Sequence, residues 1–90
     1  MSILTGMLNA PLNEIFGALL RTLRQERGIS QEELAFRADV DRTFISLLER
    51  GQRQPSLSTV FQLAQALSVK PSVIIERVEL EAAKAKGRKV

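Results

Sequence analysis

From about Leu12 to Arg27 the apolar residues recur with a helical period. Leu12, Ile15, Phe16, Leu19, Leu20 and Leu23 follow the i, i+3, i+4, i+7, i+8 rule that lays one apolar stripe along a helix, and Gly28 stands where a left-handed stop belongs. Ser30 followed by Glu33 reads as a capping box, in which the serine hydroxyl accepts from the N–H of Glu33 and the glutamate reaches back to the serine N–H. A second helix therefore starts at Gln31; its apolar positions Leu34, Ala35 and Ala38 run out at Asp39, after about two turns. Asp41 is placed to cap a third helix, from Arg42 to about Arg50, which Gly51 ends. A fourth, capped by Ser56 or Ser58, is expected to bury Leu57, Val60, Phe61, Ala64 and Leu67. The fifth carries Pro71 in its first turn, where the missing N–H is harmless, then Ile74, Ile75, Val78 and Ala82. No segment shows sustained period-2 alternation or a hairpin turn, so the pattern predicts an all-α domain of five helices.

Helices two and three are joined by only Asp39, Val40 and Asp41. So short a turn cannot lay the second helix antiparallel to the first, and the two must cross at a large angle as a helix-turn-helix. On a wheel of about 100° per residue with Arg42 at the origin, Ser46, Arg50, Thr43 and Leu47 fall within roughly the next 140°. Phe44, Ile45 and Leu48 lie on the opposite side, with Glu49 at the edge of that apolar face. The third helix thus has an outward arc of hydrogen-bond donors without a carboxylate. A B-DNA major groove admits one α-helix and presents guanine O6 and N7 to a bidentate arginine, which such an arc suits. The plain alternative is a solvated polar face.

Composition narrows the choice. The 90 residues contain no Cys and no His, which removes disulfide scaffolds, Cys/His metal sites, thiol nucleophiles and His-based acid/base chemistry together; no catalytic residues, metal or cofactor are expected. Thirteen Lys and Arg against ten Asp and Glu give a net charge of +3, which favours an anionic partner without requiring one. No stretch reaches the roughly 20 apolar residues of a membrane span, and residues 1–11 lack the basic start of a signal peptide. The expectation is a soluble, cytoplasmic protein with no membrane contact and no small-molecule ligand. It is divided into an N-terminal arm over 1–11, a DNA-binding domain over 12–80, and a helix end with a basic tail over 81–90.

The stretch SQEELAFRADVDRTFISLLERG, from Ser30 to Gly51, resembles the helix-turn-helix of the lambda-repressor-like (XRE/Cro) transcriptional regulators. Gln31 opens the unit, Ala35 stands where the helices touch, Val40 is in the turn, Ile45 and Leu48 are core, and Glu49-Arg50-Gly51 ends it. The likeness extends over roughly Leu12 to Val78, and the run from Asp41 to Ser46 looks most like the controller proteins of restriction–modification systems. One departure is Asp39, where the family most often has a left-handed glycine. The resemblance implies a five-helix domain that binds a two-fold symmetric operator as a homodimer.

Residue roles follow from the arc and from this likeness. Arg42 is the leading candidate for a base contact, with Thr43, Ser46 and Leu47 beside it; Thr43 suits a thymine methyl or a phosphate, and Leu47 could equally be core edge. Gln31 resembles the family's phosphate-clamping glutamine, and Ser30, Arg50 and Arg53 are placed for phosphates, with Arg53 also able to enter a minor groove. Arg24 matches a family arginine that pairs with the glutamate ending helix three, here Glu49. Ile74, Ile75 and Val78, with Leu4, Met7 and Leu8, exceed what a small core needs and imply a dimer interface, ordinary core being the alternative. The competing function is an antitoxin or adaptor whose main work is gripping another protein, which requires an apolar patch left exposed after dimerisation.

Overall fold

The structure is a computed structural model that describes the backbone of residues 2–87 and the side chains of residues 12–85. Five helices follow one another: α1 (Ser2–Glu26), α2 (Gln31–Ala38), α3 (Arg42–Glu49), α4 (Leu57–Ala66) and α5 (Pro71–Gly87). Among the described residues there is no strand, and no helix is long and apolar enough to cross a membrane.

Four of the helices end in the same way. A residue with positive φ closes each one: Gly28 (69°), Asp39 (60°), Gly51 (73°) and Ser68 (59°). The next residue then donates its N–H to a carbonyl five positions back, as in Val40 to Ala35 at 3.0 Å, Gln52 to Leu47 at 2.9 Å and Val69 to Ala64 at 3.0 Å. This geometry satisfies carbonyls that would otherwise be orphaned and turns the chain sharply into the next element. The tight link between α2 and α3 is one such turn, with Asp39 in the left-handed conformation where the family favours glycine.

α1 packs against α3 and α5, α2 against α3 and α4, and α4 against α5. Between them Leu20, Leu34, Ile45, Leu48, Leu63, Leu67 and Ile74 are essentially without solvent contact. One close approach needs a glycine. A Cβ on Gly17 would stand 2.3 Å from the Leu48 carbonyl oxygen and 2.8 Å from that of Glu49, so α1 touches the last turn of α3 backbone to backbone. A second cross-link ties the bundle at its other end: Arg27 Nε donates to the Leu67 carbonyl at 2.8 Å, at the end of α4.

Several expectations need correction. Residues 2–11, read as an arm, form the first turns of α1; Gly6, Asn9 and Pro11 are poor helix formers, and propensity there did not predict the outcome. The side chains of Leu4, Met7 and Leu8, and the tail beyond residue 85, lie outside the described residues. Leu57 and Phe61 are exposed rather than core, because the stripe of α4 that meets its neighbours is Val60, Leu63, Ala64 and Leu67. Ile74, read as part of a dimer interface with ordinary core as the alternative, is in the core. The helix turns it toward α1 and α4, and Ile75, one step on, is left outside. Asp41 occupies the N-cap position of α3 without a side-chain capping bond. The capping box of α2 is half formed: Ser30 Oγ accepts from the Glu33 N–H at 3.0 Å, but the Glu33 carboxylate accepts from Arg37 Nε at 2.8 Å instead of reaching back.

Two substitutions test these features. Ser68→Gly removes a left-handed non-glycine residue and is expected to stabilise the fold by about 0.5–1 kcal/mol in urea denaturation, the relief of conformational strain being offset in part by a freer unfolded chain. Gly17→Ala gains about 1 kcal/mol of helix propensity, but its methyl meets fixed carbonyls, and the net effect expected is a loss of roughly 1–3 kcal/mol. A Gly17→Ala midpoint at or above wild type would contradict this packing.

Candidate nucleic-acid interface

The helix-turn-helix is held from below by a buried acid. The side chain of Glu49, in the last turn of α3, is 1% exposed. It meets Arg24 from α1 in a two-pronged pair, Nε to Oε2 at 2.6 Å and Nη2 to Oε1 at 3.1 Å. The remaining arm of Arg24, Nη1, donates to the Ile29 carbonyl at 3.0 Å, fixing the link between α1 and α2. The bond to Glu49, strengthened by its charge, holds the Arg24 guanidinium above its ordinary pKa although burial pulls the other way. A third donor comes from α2: Gln31 Nε2 bonds Glu49 Oε1 at 3.0 Å. Arg21 Nε lies 3.9 Å from the same oxygen, but its side chain is 61% exposed, so this contact contributes little.

The consequence reaches the surface. With Nε2 committed to Glu49, the amide oxygen of Gln31 faces outward, where Arg42 Nη1 donates to it at 3.5 Å. That bond is long and weak, a marginal contact between the start of α2 and the exposed Arg42 at the start of α3. The chain Arg24–Glu49–Gln31–Arg42 thus runs from α1 through the end of α3 and the start of α2 back to the start of α3. Gln31, expected as a phosphate contact, is half-buried and held by Glu49, with its second amide hydrogen left to donate.

Arg42, Thr43 and Arg50 are exposed along α3, and Ser46 and Leu47 are half-buried between them. The one carboxylate within α3, Glu49, is turned inward and matched by Arg24, so the outward face of the helix keeps its positive charge. Arg50 Nε folds back toward the Ser46 carbonyl at 3.4 Å. Arg53, on the loop after α3, places its guanidinium 5.7 Å from the centre of the Phe44 ring. Ser30 Oγ is engaged at the start of α2 by the Glu33 N–H. The residues read from the sequence as base and phosphate candidates are therefore gathered on one side of the molecule. Ile75 and Val78 sit elsewhere, on α5, Ile75 exposed and Val78 half-buried.

Sequence reasoning paired Arg24 with Glu49 but missed Gln31 and Arg21 as further partners of that carboxylate. It also missed Gly17, which lets α1 approach close enough for the pair to form. The signal was present in the helical spacing: Gly17, Arg21 and Arg24 lie three and four residues apart on one face of α1.

If the buried carboxylate organises this unit, Glu49→Ala leaves Arg24 without its partner and is expected to cost about 3–5 kcal/mol in urea denaturation. Pairing Arg24→Leu with Glu49→Leu is expected to recover much of that, since no buried charge is then left uncompensated. A cost below about 1 kcal/mol for Glu49→Ala would mean that the pair is not organising α3.

A family model described as helix-turn-helix matches residues 20–74. The control protein C.BamHI of Bacillus amyloliquefaciens is 40% identical over 63 residues, covering 69% of this chain and 78% of the relative. Among solved structures, the restriction–modification controller protein C.AhdI of Aeromonas hydrophila superposes with a TM-score of 0.67 at 44% identity, covering 69% of this chain and 94% of that one. A variant of the controller protein C.Esp1396I bound to its highest affinity operator site superposes with a TM-score of 0.74 at 30% identity, covering 80% of this chain and 95% of that one. The five helices, the α2–α3 unit and these similarities agree, and the chain belongs to the helix-turn-helix family.

Proposed function

We propose that this protein is a cytoplasmic transcriptional regulator that binds double-stranded DNA sequence-specifically, acting as a homodimer on a palindromic or near-palindromic operator. The observation that carries the reading is the arc of α3, where Arg42, Thr43, Ser46 and Leu47 stand together on a helix whose only carboxylate is buried and matched. Arg42, beside Gln31, is the base reader, suited to guanine O6 and N7. Arg50 and Arg53 at the end of α3, with Ser30 and the free amide hydrogen of Gln31 at the start of α2, are the phosphate contacts. An operator-bound controller of similar fold supports the same reading. No chemistry on the DNA is part of it.

The dimer is supported by a second surface. Leu12 and Phe16 of α1, Pro55 before α4, Leu57 and Val60 of α4, and Ile75 and Val78 of α5 line one apolar groove. Leu57 and Ile75 leave 71% and 49% of their surface in solvent within this one groove, and a contiguous apolar patch of this kind marks an interaction surface. A second copy meeting this face places two α3 helices on one duplex, the arrangement a two-fold symmetric site requires. With Ile74 in the core, Ile75 and Val78 are the α5 residues proposed for the interface. The antitoxin or adaptor alternative needs an apolar patch outside both surfaces; the exposed apolar side chains there are Phe36 of α2, Phe61 of α4, and Val73 and Leu80 of α5.

Selection of duplexes from a random pool, followed by titration at several salt concentrations, tests the reading. Wild type is expected to select one motif, and Arg42→Ala to lose roughly tenfold to a hundredfold of the preference while keeping non-specific binding. Equal binding of all duplexes by the wild type would refute operator recognition. For the dimer, Val78→Glu is expected to halve the sedimenting mass; an unchanged mass takes α5 out of the interface.

A further inference from the structure

The three arginines of the α3 edge are held in two different ways. Arg42 and Arg50 each commit a nitrogen to a long hydrogen bond, Arg42 to the Gln31 amide oxygen at 3.5 Å and Arg50 to the Ser46 carbonyl at 3.4 Å. Arg53 is held by a ring instead. Its guanidinium carbon stands 5.7 Å from the centre of Phe44, inside the roughly 6 Å over which a ring face attracts a cation. The two residues are unequal partners: Phe44 is half-buried and packed against the core, whereas Arg53 is exposed on the loop that leaves α3. The ring is therefore the fixed member, and the arginine is the one that is placed.

The kind of tether decides what the arginine has left to offer. The N–H groups of a guanidinium lie in its plane, and a phosphate takes two of them side by side. A hydrogen-bond tether occupies one of these donors; attraction to a ring occupies none. Arg53 enters no ion pair among the described residues, so no carboxylate competes for its donors. It borders the same open notch as Thr43 and Leu47, beside the exposed face of α3. A long side chain on a loop loses much rotamer entropy when it meets a phosphate, and a contact that restricts it beforehand lowers that cost. We propose that Phe44 is a positioning residue for DNA binding: its ring holds the Arg53 guanidinium beside α3, so that this arginine meets a backbone phosphate already in place. This rests on the reading of the α3 edge as the DNA-facing surface, and it requires no contact between Phe44 and DNA.

The same pair of residues has a purely structural use, in which the stem and head of Arg53 cover the outer part of an apolar ring. That use has different consequences. Removing Arg53 then changes folding stability and leaves DNA affinity where it was. Positioning makes the dependence run the other way: the ring matters to DNA affinity only while Arg53 is present.

The test is a double-mutant cycle of Phe44→Leu and Arg53→Ala in the full-length protein, with affinity for the selected duplex and urea denaturation measured for each variant. Leucine keeps an apolar side chain against the core and removes the ring. Phe44→Leu is expected to weaken binding by roughly twofold to fivefold per subunit, and to have no effect on affinity in the Arg53→Ala background. Salt dependence separates the two roles. Arg53→Ala is expected to lower the slope of log affinity against log salt by about 0.9 per subunit, and Phe44→Leu to leave it unchanged, because the phosphate contact is still made. Phe44→Tyr, which keeps the ring, is expected to bind as wild type does. In the free wild-type protein the ring is expected to move the Arg53 side-chain protons upfield, a reading that depends on no variant's folding; ordinary shifts for those protons overturn the inference. Equal losses from Phe44→Leu with and without Arg53 overturn it too, as does Arg53→Ala with unchanged affinity, and each of these leaves operator recognition standing. A protein that selects no duplex overturns both.

Discussion

A single carboxylate, removed from water at the end of α3, is the constraint on which the arrangement of the helix-turn-helix depends. An unpaired buried charge costs several kcal/mol, so Glu49 can be where it is only if donors reach it from fixed positions. Those donors come from two other helices, Arg24 on α1 and Gln31 on α2. The pair therefore contributes more as a geometric condition than as a net attraction: all three helices must be in register for the charge to be matched. Gly17 belongs to the same condition, because a side chain there would push α1 off the last turn of α3 and pull Arg24 out of reach.

Order is passed from this interior to the surface through one amide. Gln31 bonds inward with its nitrogen and outward with its oxygen, so the hydrogen-bonding preference of Glu49 determines which atom Arg42 meets. An arginine with many rotamers loses much side-chain entropy on binding, and partial preorganisation lowers that cost. The same interior placement clears negative charge from the outward face of α3. A net charge of only +3 is thus compatible with a strongly polarised surface, because Glu49 is matched inside and Glu33 is engaged by Arg37 on α2.

Much of this was legible in the residues. Periodicity and stops located α2 and α3 to within a residue, since the Ser30 cap and the left-handed turns at Asp39 and Gly51 act on the local backbone, and local rules suffice there. Legibility failed where distant packing chooses between two acceptable faces. Leu57 and Phe61 satisfy a helical stripe as well as Val60 and Leu63 do, and only the positions of α2 and α5 decide which stripe is covered. Ile74 and Ile75 are adjacent and chemically identical, and the neighbours of α5 decide which of them is core. The start of α1 failed differently: Gly6, Asn9 and Pro11 read as an interruption, yet the helix runs through them. The candidate site was legible as a set of residue types, but the orientation of Gln31 depends on Glu49, which is held by Arg24 from another helix.

The molecule presents two surfaces of opposite character: a cationic, donor-rich edge along α3 and an apolar groove between α1, α4 and α5. The central claim is that the first of these is the DNA-facing surface and that α3 lies in the groove. Amide chemical-shift mapping of the labelled protein against its selected duplex addresses it most directly. The account predicts that the largest changes fall at Gln31, from Arg42 to Leu47 and at Arg53, with the core of α4 little affected. Changes concentrated instead on Leu57, Ile75 and Val78, with α3 unmoved, would contradict it.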